Sequence, residues 1–291
     1  MTGIKSVTRS IKLFAKLNKI YITIAVGITT AAGYVLQKQV FDMGMFWTIL
    51  GIFILACSSS VINHIQESST DAQMQRTRAR PLPSGDFSRR FAWWTAVIEA
   101  LAGSLILYVF AGWLALVLGL TALVWYNLIY TKLKKVTALA VIPGSVVGAI
   151  PPLVGWVAAG GNPLSSQAII MALFFFIWQI PHFWMLALHF ASDYKKAGFP
   201  ALTDLFSPKL IRKQLFIMII ITAVIAGIMA FSGILTSGIS KVLILVLSVG
   251  LIIMFSSLLQ QDKKLKLKTH FRSINYYVLL VVVVLCVDHL L

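Results

Sequence analysis

Nine apolar runs, at 20–37, 46–63, 92–110, 113–131, 137–157, 167–188, 214–232, 241–260 and 274–290, fill most of this 291-residue chain. Each is about long enough to cross ~30 Å of hydrocarbon as a helix. A segment in lipid must satisfy its own backbone polar groups, which a helix does and an open strand does not. The expected fold is therefore all-α and polytopic, with nine transmembrane helices in a bundle around a central apolar cavity. Charged residues make up 12% of the chain, against roughly 25% in a soluble domain. No segment between the runs is long enough for a separate soluble domain. The reading is a single membrane domain over 1–291, with 1–19 as a basic N-terminal segment. That segment lacks the short apolar core and cleavage site of a signal peptide.

The net charge of +16 raises the question of nucleic acid, and its distribution answers it. With the N-terminus placed inside, five basic residues precede the first run (Lys5, Arg9, Lys12, Lys16, Lys19). Five follow the second (Arg76, Arg78, Arg80, Arg89, Arg90) and three the fourth (Lys132, Lys134, Lys135). Five follow the sixth (Lys195, Lys196, Lys209, Arg212, Lys213) and five the eighth (Lys263, Lys264, Lys266, Lys268, Arg272). That is 23 of the 25 basic residues on one side, with Lys38 and Lys241 opposite. Such a bias sets an N-in, C-out orientation, makes the lipid bilayer the partner of the positive charge, and argues against nucleic acid. Cys57 and Cys286 lie in apolar runs without CxxC spacing, which reads as buried thiols rather than a disulfide.

Most of the acidic residues gather on the same side: Glu67, Asp71, Asp86, Asp193 and Asp204, five of nine, lie in the segments 64–91 and 189–213. Asn63, Glu67 and Asp71 are spaced by four. On a helix that spacing advances only about 40° per step, so three oxygen-bearing side chains share a face. Any one of them alone would be an ordinary solvated helix end. All three together, with no lysine four residues on from either acid to form a surface pair, suit a hard divalent cation such as Mg²⁺. Arg76, Arg78 and Arg80 follow, then Pro81-Leu82-Pro83, a stiff stretch that can present guanidinium forks to phosphate oxygens. Metal and anion sites side by side at a membrane surface point to a diphosphate.

The second inner segment offers Asp193 as a further metal contact and Lys195 and Lys196 as phosphate-binding point charges, with a plain positive-inside loop as the alternative. The sixth run ends in Trp178, Gln179, Pro181 and His182. Polar groups at lipid depth either pair within the bundle or line a cavity, and the aromatic crowding suits an isoprenoid or a flat macrocycle as well as ordinary packing. The fifth run holds Pro143-Gly144-Ser145 and Pro151-Pro152, so a kink is expected, opening a cavity or allowing small-residue packing. Tyr126 and Tyr130 close the fourth run, where interfacial tyrosine is routine.

The stretches NHIQESSTDAQMQRTRARPLPSG (63–85), YNLIYTKLKKVT (126–137), GSVVGAIPPLVGW (144–156) and WQIPHFWMLAL (178–188) with DYKKAGFP after them resemble the UbiA superfamily of membrane prenyltransferases, and within it the haem-modifying branch. The resemblance implies transfer of the farnesyl group of farnesyl diphosphate to a vinyl group of haem b, at the inner or plasma membrane with the site facing the cytoplasm. It implies that Asn63, Glu67, Asp71 and Asp193 hold Mg²⁺, and that Arg76, Arg80, Lys132, Lys195 and Lys196 take the diphosphate. Trp178, Gln179, His182, Tyr126 and Tyr130 would then line the prenyl and acceptor pocket. A downstream haem-modifying enzyme or terminal-oxidase assembly is the implied recipient of the product. The chain departs from the family pattern where paired aspartates are common, since Phe190 and Tyr194 flank a nearly solitary Asp193. It also departs at Pro200-Ala-Leu-Thr203-Asp204 and at Ala140. Two other readings stand beside this one: a prenyltransferase with an aromatic quinone-precursor acceptor, and a transporter. Transporters place ionisable groups near the bilayer midplane, whereas here they collect at one mouth.

Overall fold

The computed structural model describes residues 2–260 and 266–290, with side chains from residue 8 onward. Lys263, Lys264 and the Lys5 side chain lie outside that description. The elements in chain order are α1 (Thr2–Leu17), α2 (Ile20–Lys38), α3 (Met43–Gln73), α4 (Arg89–Ala111), α5 (Trp113–Leu133), α6 (Ala138–Ala158), α7 (Ser166–His189), the short α8 (Ala191–Lys196) and α9 (Leu202–Leu205), α10 (Pro208–Phe231), α11 (Gly238–Leu259) and α12 (Leu267–Leu290). Among the described residues there is no strand. Among the same described residues nine helices, all but α1, α8 and α9, are long and apolar enough to cross a membrane.

Helix starts follow local chemistry. Asp42 accepts from the Met45 amide at the head of α3, and Ser88, Ser165, Ser207 and Ser237 accept likewise at the heads of α4, α7, α10 and α11. Pro208 follows its cap, where a missing N–H costs nothing. Eight of the apolar runs end within a few residues of their helices. The exception is the second, which stops at 63 while α3 continues unbroken to Gln73, 31 residues in all or roughly 46 Å. Hydropathy marks where lipid stops; this helix goes on because its polar face is buried and paired.

The main core joins α7, α10, α11 and α12 around Phe174, Phe175, Leu215, Ile219, Phe255 and Val281. A second cluster joins α3, α4, α5 and α6 through Ile52, Leu55, Leu107 and Val154. The two meet along α2 and α6, where glycine permits backbone contact: a Cβ at Gly33 would fall 1.9 Å from the Pro152 carbonyl oxygen, and one at Gly155 1.9 Å from that of Thr30. Pro151 and Pro152 sit inside the helical run, and the break falls earlier, at Ser145. The break is filled by packing, since the Tyr130 ring lies 2.4 Å from where a Gly144 Cβ would stand. The indole N–H of Trp125 donates to the Pro143 carbonyl at 2.7 Å. Both cysteines are free thiols, as their spacing indicates.

Candidate active site

The expected acid face is present, and it is interior rather than solvated. Asn63, Glu67 and Asp71 are exposed by only 1%, 3% and 0%. A buried carboxylate is tolerated only when paired, and each member of the face has its own cation from a different element. Lys19, which caps α2, donates to Asn63 Oδ1 at 2.6 Å. Lys134, just past α5, forms an ion pair with Glu67. Arg80, in the loop after α3, donates to Asp71 Oδ2 at 2.6 Å. The Asn63 amide completes its bonding by donating to Thr131 Oγ1 at 3.1 Å.

Lys19 reaches the face from a strained position. Its φ and ψ are both 48°, left-handed values that a β-carbon disfavours. Burial, and then the nearby Arg80 guanidinium, push its ammonium down to about 7. The ammonium also lies 3.5 Å from the Tyr126 hydroxyl.

The loop from Met74 to Phe87 is a run of turns, as the proline content implies. The amides of Thr77 and Arg78 both donate to the Met74 carbonyl, Arg80 to Thr77, and Phe87 to Pro81. The Thr77 hydroxyl caps the Asp71 carbonyl at 2.9 Å. This folding turns the Arg80 guanidinium back onto the helix it has just left. The neighbouring Arg76 goes the other way and joins the second polar segment. Its backbone N–H donates to Asp193 Oδ2 at 3.3 Å, and its guanidinium donates to the Tyr194 hydroxyl at 3.3 Å while lying over the Phe190 ring at 5.0 Å. Met74 packs against Tyr194, Ala197 and Phe199. The two polar segments thus form one cap over the acid face, and Asp193 (8% exposed) is the clasp between them.

Tyr126 and Tyr130 occupy a π-helical turn, Trp125–Tyr130. Its wider winding, often seen at functional sites, brings the two rings to 5.6 Å. Lys134 lies 5.7 Å from the Tyr130 ring centre. Further along the bundle the His182 ring meets those of Trp178 and Phe271 at a tilt and that of Phe183 edge-on, and Gln179 covers Gly148 so closely that a Cβ there would overlap its amide. The Trp178 indole nitrogen and His182 Nδ1 are buried without a hydrogen-bond partner. A cleft of about 50 Å³ opens beside Tyr130 and Lys134, between the α5–α6 junction and Phe183, Tyr194 and Pro200.

The structure does not gather every residue the sequence nominates. Lys132 and Lys196 are exposed, and the ion pairs of the acid face do not include them. Lys195 forms an exposed ion pair with Asp204 at 2.6 Å. The face is served instead by Lys134 and Lys19, which spacing does not single out. Nor does spacing mark His64, which is 1% exposed with neither ring nitrogen bonded.

Among the described residues no three His, Cys, Asp or Glu side chains cluster as a ready-made metal site. The donors nonetheless fit a hard cation: the available atoms are amide and carboxylate oxygens, and Asp71 Oδ1 is buried with no hydrogen-bond partner.

A nine-span helical bundle with a buried acid–amide face under a basic cap matches the UbiA prenyltransferase family model over residues 26–280, and the chain belongs to that family. Protoheme IX farnesyltransferase of Geobacter sulfurreducens is 42% identical over 61% of this chain. The match spans 65% of that relative's length. Protoheme IX farnesyltransferase of Legionella pneumophila is 32% identical over 92% of this chain and 90% of its own length. A structure of a UbiA homologue from Archaeoglobus fulgidus bound to GPP and Mg²⁺ has a TM-score of 0.70 over 96% of this chain and 99% of its own, at 12% identity. That likeness bears on the fold.

Proposed function

We propose that this protein transfers the farnesyl group of farnesyl diphosphate to a vinyl group of haem b, forming haem O. The observation that carries the reading is the buried Asn63–Glu67–Asp71 face with Arg80, Lys134 and Lys19 placed against it. It is supported by the names of relatives such as those of G. sulfurreducens and L. pneumophila. The whole chain, 1–291, acts as one catalytic bundle in the cell inner or plasma membrane, N-in and C-out, with the polar mouth facing the cytoplasm.

In this reading Asn63, Glu67 and Asp71, with Asp193 at the clasp, are the residues that would hold Mg²⁺, and the ion would supply Lewis-acid charge for a departing oxyanion. The protein's own cations do comparable work. As the C1–O bond of the farnesyl group breaks, its electron pair leaves with the diphosphate oxygen, and Arg80, Arg76, Lys134 and Lys19 are already placed for that charge. Lys132, Lys195 and Lys196 contribute positive potential at the outer mouth. The paired, mutually tilted Tyr126 and Tyr130 rings present π faces to the allylic cation, while the apolar surroundings exclude water from it. Trp178, Gln179 and His182 line the acceptor side. The product passes to a downstream haem-modifying enzyme or oxidase assembly.

The test is product mass after incubating the purified protein with haem b, farnesyl diphosphate and Mg²⁺. A farnesylated haem is the expected result. No such product, together with prenylation of an aromatic quinone precursor, would replace this acceptor with the alternative one.

A further inference from the structure

From residue 8 to residue 16 the helix α1 is poorly covered by the rest of the protein. On its described part Ile11 and Phe14 are 63% and 42% exposed, and Arg9, Lys12 and Lys16 are exposed as well. At 100° per residue the three cations fall within a 60° arc, with Ile11 and Phe14 on the other side of the helix. The sequence continues the same alternation upstream, with Lys5 in phase with the cations and Ile4 and Val7 in phase with the apolar pair. A helix that, over residues 8–16, exposes an apolar side and a basic side and is buried in the bundle only at its end suits the plane of a lipid surface.

Its depth can be read from its anchor. Leu17, 0% exposed, packs with Val61, Ile65, Ala92 and Ala96. At that level of α4 the exposed rings of Phe91, Trp93 and Trp94 form the aromatic band expected at a membrane–water boundary. The described part of α1 therefore leaves the bundle at headgroup height. Two residues beyond its end stands Lys19, held at φ 48° with its ammonium on Asn63. Along α1 itself, Arg9 ties to Asp86 of the basic loop at 2.9 Å.

We propose that α1 lies in the interface against anionic lipid headgroups, and that this seating sets the position of Lys19 in the site, making diphosphate binding depend on anionic lipid. The binding part of this inference rests on the function proposed above; the seating of α1 does not.

Two experiments on the full chain in vesicles test it. The first places nitroxide labels at Ile11→Cys or Lys12→Cys in a Cys57→Ser/Cys286→Ser background. In vesicles with 30 mol% phosphatidylglycerol, position 11 should be relaxed mainly by oxygen and position 12 by a water-soluble nickel chelate. Equal exposure of both to the chelate would overturn the seating. Shielding of both from either reagent would overturn it too, showing a protein cover such as a second copy. The second measures calorimetric binding of farnesyl thiodiphosphate in phosphatidylcholine vesicles with and without phosphatidylglycerol. Each cation near an anionic surface contributes about a factor of five. We expect about fivefold or more tighter binding with the anionic lipid, and loss of that difference in Lys12→Gln/Lys16→Gln. Unchanged affinity in the wild type, or an undiminished lipid effect in the double variant, would overturn the coupling. Absence of any diphosphate binding alongside the expected label pattern would overturn the coupling and the functional reading while leaving the seating in place.

Discussion

Replacing Asp71 by asparagine removes a charge while keeping volume and most of the shape. The side chain is fully buried, with Oδ2 on Arg80 at 2.6 Å and Oδ1 without a partner. Two costs are expected, and they separate. Folding loses a charge-assisted hydrogen bond, about 1.5–3 kcal/mol for a fully buried pair. Because the Arg80 side chain is 24% exposed, the lower end applies. Catalysis loses a charged contact at the point where negative charge accumulates, on the order of 3–4 kcal/mol, or roughly 10²–10³-fold in rate. The assay is single-turnover formation of farnesylated haem, with thermal melting in the same detergent as a fold control. Arg80→Gln, alone and combined with Asp71→Asn, distinguishes two roles for the acid. If Asp71 served only to hold Arg80, the two single variants would be equally slow and the double no slower. A role toward metal makes the double markedly slower than either. A rate above about a tenth of wild type in a normally melting Asp71→Asn protein would refute the reasoning.

Lys134→Met should weaken prenyl diphosphate binding by about 10–100-fold, the equivalent of a lost charge-assisted contact, while Lys132→Met stays within about twofold; titrating farnesyl diphosphate at fixed haem checks both. Gly155→Ala should lower stability by about 1–3 kcal/mol, since its Cβ meets the Thr30 carbonyl, whereas Gly250→Ala, inside a helix with nothing within 4 Å, should raise the melting temperature slightly, by the equivalent of about 0.5–1 kcal/mol. Asp288 accepts from the Thr236 and Ser237 amides at 2.7 and 3.0 Å, so Asp288→Ala should raise hydrogen exchange at 236–240 without altering turnover.

The helices were legible because lipid leaves the backbone few options, and the acid face because a four-residue spacing on a helix keeps one phase. Two of its three cations were not. Arg80 stands nine residues after Asp71 and was nominated, but Lys19 is 44 residues from Asn63 and Lys134 is 67 from Glu67, and in a chain with 23 of 25 basic residues read as lying on one side neither stands out. The choice of Lys134 over Lys132 has a local cause. Lys134 stands four residues after Tyr130, on the same helical face and over its ring, whereas Lys132, two residues after it, is turned to the opposite side. Asp193 was legible as an acid but its partner was not, since it binds the main-chain amide of Arg76 and sequence carries no mark for that. The break in α6 was foreseen, and its content was decided by Tyr130 lying against Gly144.

Because each residue of the acid face already holds a protein cation, the order of ligand arrival becomes a matter of thermodynamic linkage. A divalent ion entering alone would have to dislodge Lys19, Lys134 or Arg80 and leave that cation without its buried partner, a costly exchange. A diphosphate entering alone would meet Glu67 and Asp71 as like charges. If the proposed function holds, the two ligands arriving together would accept each other's displaced partners, the cations turning to phosphate and the carboxylates to metal. Such a site would then bind each ligand more tightly in the presence of the other, by the same factor in both directions.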